Sequence, residues 1–235
     1  MNETQKIPWK RVSVEAAAIV ASILLAFAIE AWWDSKQQAA LERELLGQLQ
    51  SELTANAVIL AEQRRLHVQT HQALQRLSSL SAPNTSLEET NEDQVIADLF
   101  EVQDWWTIDL QMGVLTSLLS SGNLGIIQSN ALRNSIAVFP SIVKDFIDEE
   151  NTGKEFARNS VIPYLIEHSN LRAIQHHGDA DADTFSIDIE ELLRERVFDN
   201  LLSERLVQVE SIFDSSERLE SHIDQLSSQI GEYLL

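Results

Sequence analysis

The chain has 235 residues, of which 44% are hydrophobic, and this is enough apolar material for one helical domain and one membrane anchor. It contains no cysteine, which excludes thiolate metal sites, iron–sulfur clusters, thiol nucleophiles and disulfides. With only 7 glycines and 4 prolines, and with good helix formers in abundance, the composition predicts an all-α fold.

The net charge of −20 is confined to one part of the chain. Residues 1–33 carry three basic and three acidic side chains, whereas the remainder carries 14 basic and 34 acidic ones. Such a surface repels phosphate backbones, so we expect no nucleic-acid partner. A solvated acidic surface that keeps the domain soluble is the simpler interpretation, and a basic partner protein or a cation is the alternative.

The first predicted element is a transmembrane helix from Val12 to Trp33. The segment from Ala16 to Ile29 has no charged residue, and the 22 residues of the element make a helix of about 33 Å, which spans a bilayer. Three tryptophans stand at its ends: Trp9, Trp32 and Trp33. Amphipathic rings prefer the headgroup level, so they favour a membrane helix over a buried core helix.

The orientation of this helix follows from its flanking charges. Three basic residues precede it: Lys6, Lys10 and Arg11. By the positive-inside rule, residues 1–11 are expected in the cytoplasm and residues 34–235 in the periplasm, with the anchor in the inner membrane of a Gram-negative bacterium. A cleaved signal peptide is the alternative, because Ala26-Phe27-Ala28 mimics a cleavage site, although Glu15 interrupts the apolar segment near its start.

One face of the predicted span is built from small and acidic residues. At 100° per residue these lie within a stripe of roughly 120°, hereafter the membrane stripe: Glu15, Ala18, Ser22, Ala26 and Glu30. Small residues at this spacing let helices approach closely in lipid, so the stripe predicts a partner helix, in a homo-oligomer or in a larger membrane complex. Glu15 can instead pair with Arg11, and Glu30 can extend to the interface or meet a basic group of the partner.

Two long helices are predicted in the domain. Leucines recur at helical spacing after Trp33, so the membrane helix is expected to continue as a stalk over 34–79. An apolar stripe also runs through 188–233, where Asp188 and Glu191 form a capping pattern. Two helices of about 69 Å in one domain most simply lie antiparallel, which would bring the C-terminus back toward the membrane.

The middle of the domain is predicted to hold shorter helices that pack at the distal end of the long pair. Caps, prolines and glycines divide it into a polar linker over 81–93 and helices over 93–120, 130–150 and 152–175. Ser86 and Glu89 resemble a capping box, Gly122 suits a left-handed helix end, and Ser129 or Asn130 suits the next helix start.

An acidic run near residue 180 resembles an EF-hand calcium loop. Asp179, Asp181 and Asp183 alternate along it, and Glu190 stands at the twelfth position, where a bidentate carboxylate closes such a site. Thr184 occupies the position that favours glycine. A solvated acidic loop leading into a capped helix is therefore the competing interpretation.

Two further pairs of side chains are candidates for ligand binding. His67 and His71 lie one helical turn apart and can present two imidazoles to a metal, but no acidic third ligand stands at a matching offset. Trp105 and Trp106 can line a ligand pocket, with buried packing as the simpler interpretation. The sequence has no nucleophile elbow, phosphate-binding glycine loop or zinc-protease helix, so we expect neither catalysis nor a cofactor.

Two parts of the chain carry a resemblance to other proteins. The residues in question are Glu15, Ile19, Val20, Leu24, Leu25, Ala26, Ile29 and Trp32 in the anchor, and Leu118, Ser121, Gly122, Asn123, Leu124, Ile127, Ala131, Leu132 and Arg133 in the domain. With these residues the chain resembles a broad group of uncharacterised bacterial single-pass membrane proteins. The resemblance implies the same topology and brings no established activity.

Taken together, these patterns predict a non-enzymatic interaction protein. It would be a membrane-anchored scaffold or accessory subunit that assembles through its transmembrane helix and presents an acidic helical domain to envelope partners. The alternative is an extracytoplasmic ligand-binding bundle of the sensor type.

Overall fold

The computed structural model describes residues 9–176 and 187–235, with side chains described from Ser13 onward. The described chain is helical, which confirms the predicted all-α fold. Its helices are α1 (Trp9–Ser81), α2 (Glu92–Gln103), α3 (Gly113–Ser120), α4 (Asn130–Phe156), α5 (Ile162–His168), α6 (Leu171–Gln175), α7 (Ile189–Arg194) and α8 (Arg196–Leu234), with a 3₁₀ turn at Asn123–Ile126 and a π-helical turn at Ala157–Val161.

The helix α1 continues without a break from the apolar N-terminal segment into the domain. It is rich in good helix formers and contains no proline, so its ladder of backbone hydrogen bonds is uninterrupted. Residues 13–38 are exposed throughout, and the first buried residue along the helix is Glu42. The predicted extension of the N-terminal helix into a long helix of the domain is therefore confirmed.

The helix α8 runs antiparallel to α1. Near the end of the bundle where α1 enters it, Tyr233 Oη donates a hydrogen bond to Glu42 Oε1 (2.8 Å). Halfway along, Arg64 of α1 pairs with Glu220 of α8. The predicted antiparallel pair is confirmed, and the end of α8 returns to the level at which α1 enters the bundle.

The chain over 93–120 does not form the continuous helix that the sequence predicts. It forms α2, an extended segment over 104–112 and α3. At Asp104 the backbone leaves the helix with φ −78° and ψ 162°, and the carboxylate of Asp104 accepts a hydrogen bond from Trp105 N (2.9 Å). The aromatic and β-branched residues that follow are weak helix formers, so the break is locally inexpensive.

The prediction that the middle helices pack at the distal end is wrong for α4, which lies alongside both long helices. Just before α4, Gln128 N donates to Glu42 Oε1 (2.7 Å), at the end of the bundle where α1 enters it. The helix then passes through Pro140 and the π-helical turn into α5, so the helices predicted over 130–150 and 152–175 form one rod as far as His168. Two long helices alone would leave apolar faces uncovered, and the apolar stripe of α4 covers them.

The final helix predicted over 188–233 is divided at Glu195, whose backbone is extended with ψ 124°. Glu195 Oε2 accepts a hydrogen bond from Tyr164 Oη (3.0 Å). Beside it, Arg194 donates to the carbonyl oxygens of Ala82 (2.7 Å) and Thr85 (2.6 Å), just beyond the end of α1. These tertiary contacts form a corner that the apolar periodicity of the sequence does not reveal.

Three helix ends lie where their capping residues predict. Gly122 has the left-handed φ of 73°, Ser129 Oγ accepts from the backbone of the first turn of α4, and Asp188 does the same for α7. By contrast, α2 is capped by Asn91 rather than by the box predicted at Ser86. Capping needs only a short polar side chain and the next three residues, so it is readable locally.

The buried apolar side chains form two clusters. The cluster nearer the exposed N-terminal part of α1 includes Leu46, Leu53, Phe139, Phe146 and Ile223, and the distal cluster includes Leu74, Leu99, Leu165, Phe198 and Leu202. Where the clusters meet, four buried polar side chains form what we call the polar layer: Gln63, His67, Glu150 and Arg205. Each of the three long helices contributes to this layer.

Two glycine-to-alanine substitutions are expected to have opposite effects on stability. A Cβ at Gly153 would lie 2.9 Å from Arg205 Nη1 and 3.2 Å from Ile212 Cδ1, whereas a Cβ at Gly47 meets nothing within 4 Å. Because Arg205 is buried and hydrogen-bonded, it cannot move aside freely, so Gly153→Ala should destabilise the bundle by about 1–2 kcal/mol. Gly47→Ala should stabilise it by about 0.5–1 kcal/mol.

Thermal unfolding followed by circular dichroism checks this pair. The two substitutions are chemically identical and both lie inside long helices, so each serves as the control for the other. Equal shifts of the midpoint in the same direction would contradict the close packing of Gly153 against Arg205.

Candidate functional site

The N-terminal part of α1 is long and apolar enough to cross a membrane. An 18-residue window there has a mean hydropathy of 2.1, and none of it is buried against the rest of the protein. Side chains such as Leu24 and Phe27 are exposed there, each 62–63%. In water this apolar surface would stay exposed, at a free-energy cost of about 25 cal/mol per Å². A lipid bilayer would remove it from water.

The residues of the membrane stripe all lie on this exposed part of α1. Ser22 Oγ donates to Ala18 O (2.8 Å) within the helix, so its hydroxyl already has a hydrogen-bond partner. The stripe is therefore suited to close helix packing through its small side chains rather than through a free hydroxyl donor. Trp32 and Trp33 are exposed with their ring centroids 6.4 Å apart. Trp9 is the first residue of α1, and its side chain lies outside the described part.

The carboxylate of the polar layer is Glu150, which is 1% exposed. Its Oε1 accepts from Gln63 Nε2 (2.9 Å), and His67 Nε2 lies 3.0 Å from the same oxygen. Its Oε2 accepts from Ile108 N (2.7 Å), in the middle of the extended segment. Because a carboxylate only accepts, Nε2 of His67 carries the hydrogen. Glu150 thus satisfies three buried donors from two other parts of the fold.

Arg205 extends the polar layer from α8. Its Nη1 donates to Gly153 O (2.8 Å), and its Nη2 donates to Asp104 O (2.9 Å), where α2 gives way to the extended segment. Burial lowers the pKa of Arg205 to about 10, and the negative charge of Asp104 opposes that shift. The guanidinium therefore holds the Asp104 carbonyl at the end of α2 and adds a second hydrogen bond to the Gly153 carbonyl, which the Ala157 N–H also bonds.

Two residues of α1 secure the rest of the extended segment. Asn56 donates through Nδ2 to Gln111 O and accepts through Oδ1 from Gln111 N, both at 2.8 Å. Glu52 accepts from Val114 N (2.7 Å) and Leu115 N (3.0 Å), at the first turn of α3, where a negative charge also suits the helix dipole. These side chains do for the segment what a helix would otherwise do for its own backbone.

Apart from His67, these buried polar residues are not among the sites predicted from the sequence, although a signal for them exists. Asn56 and Gln63 stand at core positions of the leucine pattern of α1, on either side of the buried Leu60. Glu150 follows Phe146 in the same way on α4. A polar residue at a core position indicates a buried hydrogen-bond partner, but it does not say which one.

An ion pair between α1 and α2 lines two clefts at the distal end of the bundle. Asp98 is 1% exposed, and its two oxygens accept from Arg76 Nε (2.9 Å) and Arg76 Nη2 (2.6 Å). Gln94 Nε2 also donates to Asp98 (2.9 Å). Two adjoining clefts of about 430 and 570 Å³ share these three residues and Gln72, and they follow one another along α1. We call them the distal clefts.

Glu101 lines the first distal cleft, and its Oε2 is buried without a hydrogen-bond partner among the described residues. Burial raises the pKa of this carboxyl, and the negative charges of Asp104 and Asp98 raise it further. The fold therefore disfavours the ionised form of Glu101.

The raised pKa gives a stability prediction for Glu101→Gln. Because the folded pKa lies above the ordinary value of 4.5, stability from Glu101 is present at low pH and is lost as the pH rises through the folded pKa. The variant should raise the thermal midpoint at pH 7, and the gain should shrink near pH 4. A gain that is equal at both pH values would contradict the shift.

The predicted metal-binding residues are only partly placed. Asp179, Asp181 and Asp183 lie outside the described residues, and Glu190 is exposed on α7, so the calcium-loop prediction stays a prediction. Within 13–176 and 187–235, no three His, Asp or Glu side chains form a metal-binding group. His67 binds Glu150, whereas His71 packs edge-on against Phe213 with ring centroids 5.4 Å apart, so the two imidazoles serve different contacts.

The tryptophan pair lies in the extended segment rather than in a helix. Both rings are half-buried, and the guanidinium of Arg158 lies 5.6 Å from the ring centroid of Trp105. Trp106 Nε1 is buried with no hydrogen-bond partner in the part of the chain that the structure covers. Neither ring lines the distal clefts.

The hydrogen-bonding groups described above can do two things: hold a segment of the chain in place and bond to a polar ligand. The polar layer fixes the extended segment, and the distal clefts present open polar side chains to solvent. Comparison of the chain with protein-family models, curated proteins and solved structures gives no match.

Proposed function

We propose that the protein is a non-enzymatic, membrane-anchored scaffold or accessory subunit of the bacterial inner membrane. Residues 12–33 would span the bilayer, residues 1–11 would face the cytoplasm, and residues 34–235 would form a periplasmic domain. The observation that carries this proposal is the continuity of α1, in which an exposed apolar segment and the first helix of the bundle form one helix. Without a loop between them, a tilt or rotation of the anchor is passed to the bundle.

The charge distribution supports a role in protein association. The whole net charge of −20 belongs to the part of the chain after residue 33. A basic partner in the envelope would be drawn to such a surface, which raises association rates more than it raises affinity. The resemblance to bacterial single-pass membrane proteins supports the same placement.

The membrane stripe supports assembly within the bilayer, as a homo-oligomer or with another subunit. Replacing Ser22 and Ala26 together by Leu would put two large side chains where close helix approach needs small ones. Native mass spectrometry of the detergent-extracted protein should show a defined oligomer or a stoichiometric partner for the wild type, and loss of that assembly for the variant.

The matched control replaces Val20 and Phe27 by Leu on another face of the same helix, and its assembly should be unchanged. A wild-type protein that is only monomeric, with no partner captured by cross-linking in membranes, would contradict the scaffold. An unchanged assembly in the Ser22 and Ala26 variant would contradict the interface while leaving the anchor intact.

Ligand binding by the periplasmic bundle is the second candidate function. It is favoured by the distal clefts, which combine a hydrogen-bonded ion pair with solvent-exposed amide side chains.

A further inference from the structure

The distal clefts differ in composition from the rest of the acidic domain. Residues 63–87, which supply the α1 wall of both clefts, contain no Asp or Glu, although the domain after residue 33 contains 34 of them. Instead the wall presents uncharged amides, from Gln69, Gln72 and Gln75. Solubility alone is served as well by carboxylates, which the chain uses elsewhere.

The opposite wall adds more amides, beside one carboxylate in each cleft, Glu101 in the first and Glu89 in the second. Gln94 and Gln175 line the first cleft from α2 and α6. The side chains of Gln72 and Gln175 make no hydrogen bond to any residue that the structure describes, so their donors and acceptors are open to a ligand. An amide both donates and accepts, which is also true of a hydroxyl group.

The floor of the clefts is rigid and electrically balanced. Arg76 and Asp98 neutralise one another through two hydrogen bonds, and Gln94 holds Asp98 from the other side. A bidentate pair of this kind keeps its geometry. A charged ligand would have to compete with one member of this pair, whereas a neutral ligand can accept hydrogen bonds from Arg76, whose side chain is 46% exposed, and leave the buried Asp98 in place.

The rim supplies one aromatic surface. Phe100 lines the first cleft and is 38% exposed, beside Ala97. Aromatic faces favour contact with C–H groups, which carry partial positive charge, and such groups cover the apolar faces of sugar rings. Hydrogen-bonding amides and an aromatic face therefore occur together in one cleft.

We propose that the distal clefts bind a neutral, polyhydroxylated ligand, namely an oligosaccharide that lies along both clefts and crosses Arg76. Each cleft, at about 430 and 570 Å³, falls in the range of small-molecule sites, about 300–1,000 Å³. This proposal is independent of the membrane assembly, because the clefts belong to the distal end of a single chain.

Saturation-transfer NMR on the full chain tests the proposal, with maltotetraose, cellotetraose, chitotetraose and glucose as probes. A detergent without a sugar headgroup is needed so that the detergent does not itself fill the clefts. At least one tetrasaccharide should bind at about millimolar strength and more tightly than glucose. Gln72→Ala and Phe100→Ala should each weaken this binding about tenfold.

Gln225→Ala is the matched control, because Gln225 lies in the groove between α4 and α8 and is remote from the distal clefts. Its sugar binding should equal that of the wild type, and thermal midpoints should show that all variants are folded. Three results would overturn the proposal: no binding of any tetrasaccharide at about 10 mM, binding unaffected by the Gln72 and Phe100 variants, or glucose binding as tightly as the tetrasaccharides. A failure of the ligand proposal would not contradict the scaffold proposal, because the native mass of the assembly does not depend on sugar binding.

Discussion

Replacing Glu150 by Ala is expected to lower the free energy of unfolding by about 3–5 kcal/mol. The carboxylate is 1% exposed and accepts from Gln63, His67 and the backbone of Ile108. Removal leaves these three donors buried without an acceptor, and water cannot reach them without opening the bundle. The extended segment would also lose its central attachment to α4.

The measurement is the thermal midpoint in detergent, which should fall by on the order of 10 °C. Glu150→Gln should fall between the wild type and Glu150→Ala, because its amide replaces one acceptor by a donor that faces another donor. The control is Glu155→Ala, since Glu155 is exposed on the same helix and should shift the midpoint little. A midpoint for Glu150→Ala within about 2 °C of the wild type would show that the polar layer contributes little to stability.

Replacing Leu24 and Leu25 together by Arg should release the protein from the membrane. Both side chains are exposed in the apolar part of α1. Each arginine at the centre of a span opposes insertion by about 2.5–3.5 kcal/mol on insertion scales, so the pair removes most of the driving force of this segment.

Fractionation with an alkaline wash checks this result. The wild type should remain in the membrane pellet, and the double variant should appear in the soluble fraction. The control places the same two arginines at exposed apolar positions of the bundle, Val58 and Val207, and should leave the protein in the pellet. A Leu24 and Leu25 variant that stays in the pellet would refute the anchor.

Local sequence predicts the helical elements and many of their ends because those depend on nearby residues. The cap at Asp188 involves Glu191, and the left-handed end at Gly122 depends on one residue that lacks a Cβ. The long course of α1 follows in the same way from helix formers without proline. The membrane stripe and its partner helix stay predictions, and so does the acidic loop around Asp181.

The break between α2 and α3 depends on residues that are distant in the sequence. Ile108 N is satisfied by Glu150, 42 residues later, and Gln111 by Asn56, 55 residues earlier. Without these contacts, backbone groups of the segment over 104–112 would be left without partners, and its extended conformation would lose this stabilisation. The distal clefts arise likewise, because α2 meets α1 only after the chain has turned at 82–91.

By itself the sequence determined the helical class, the apolar segment and the antiparallel long helices, since each rests on composition or on spacing within one element. The tertiary structure alone decided where α4 lies, why α2 and α3 are separate, and which side chains share the polar layer. The reason is physical: a buried polar group must find a partner somewhere in the fold, and chain packing selects that partner.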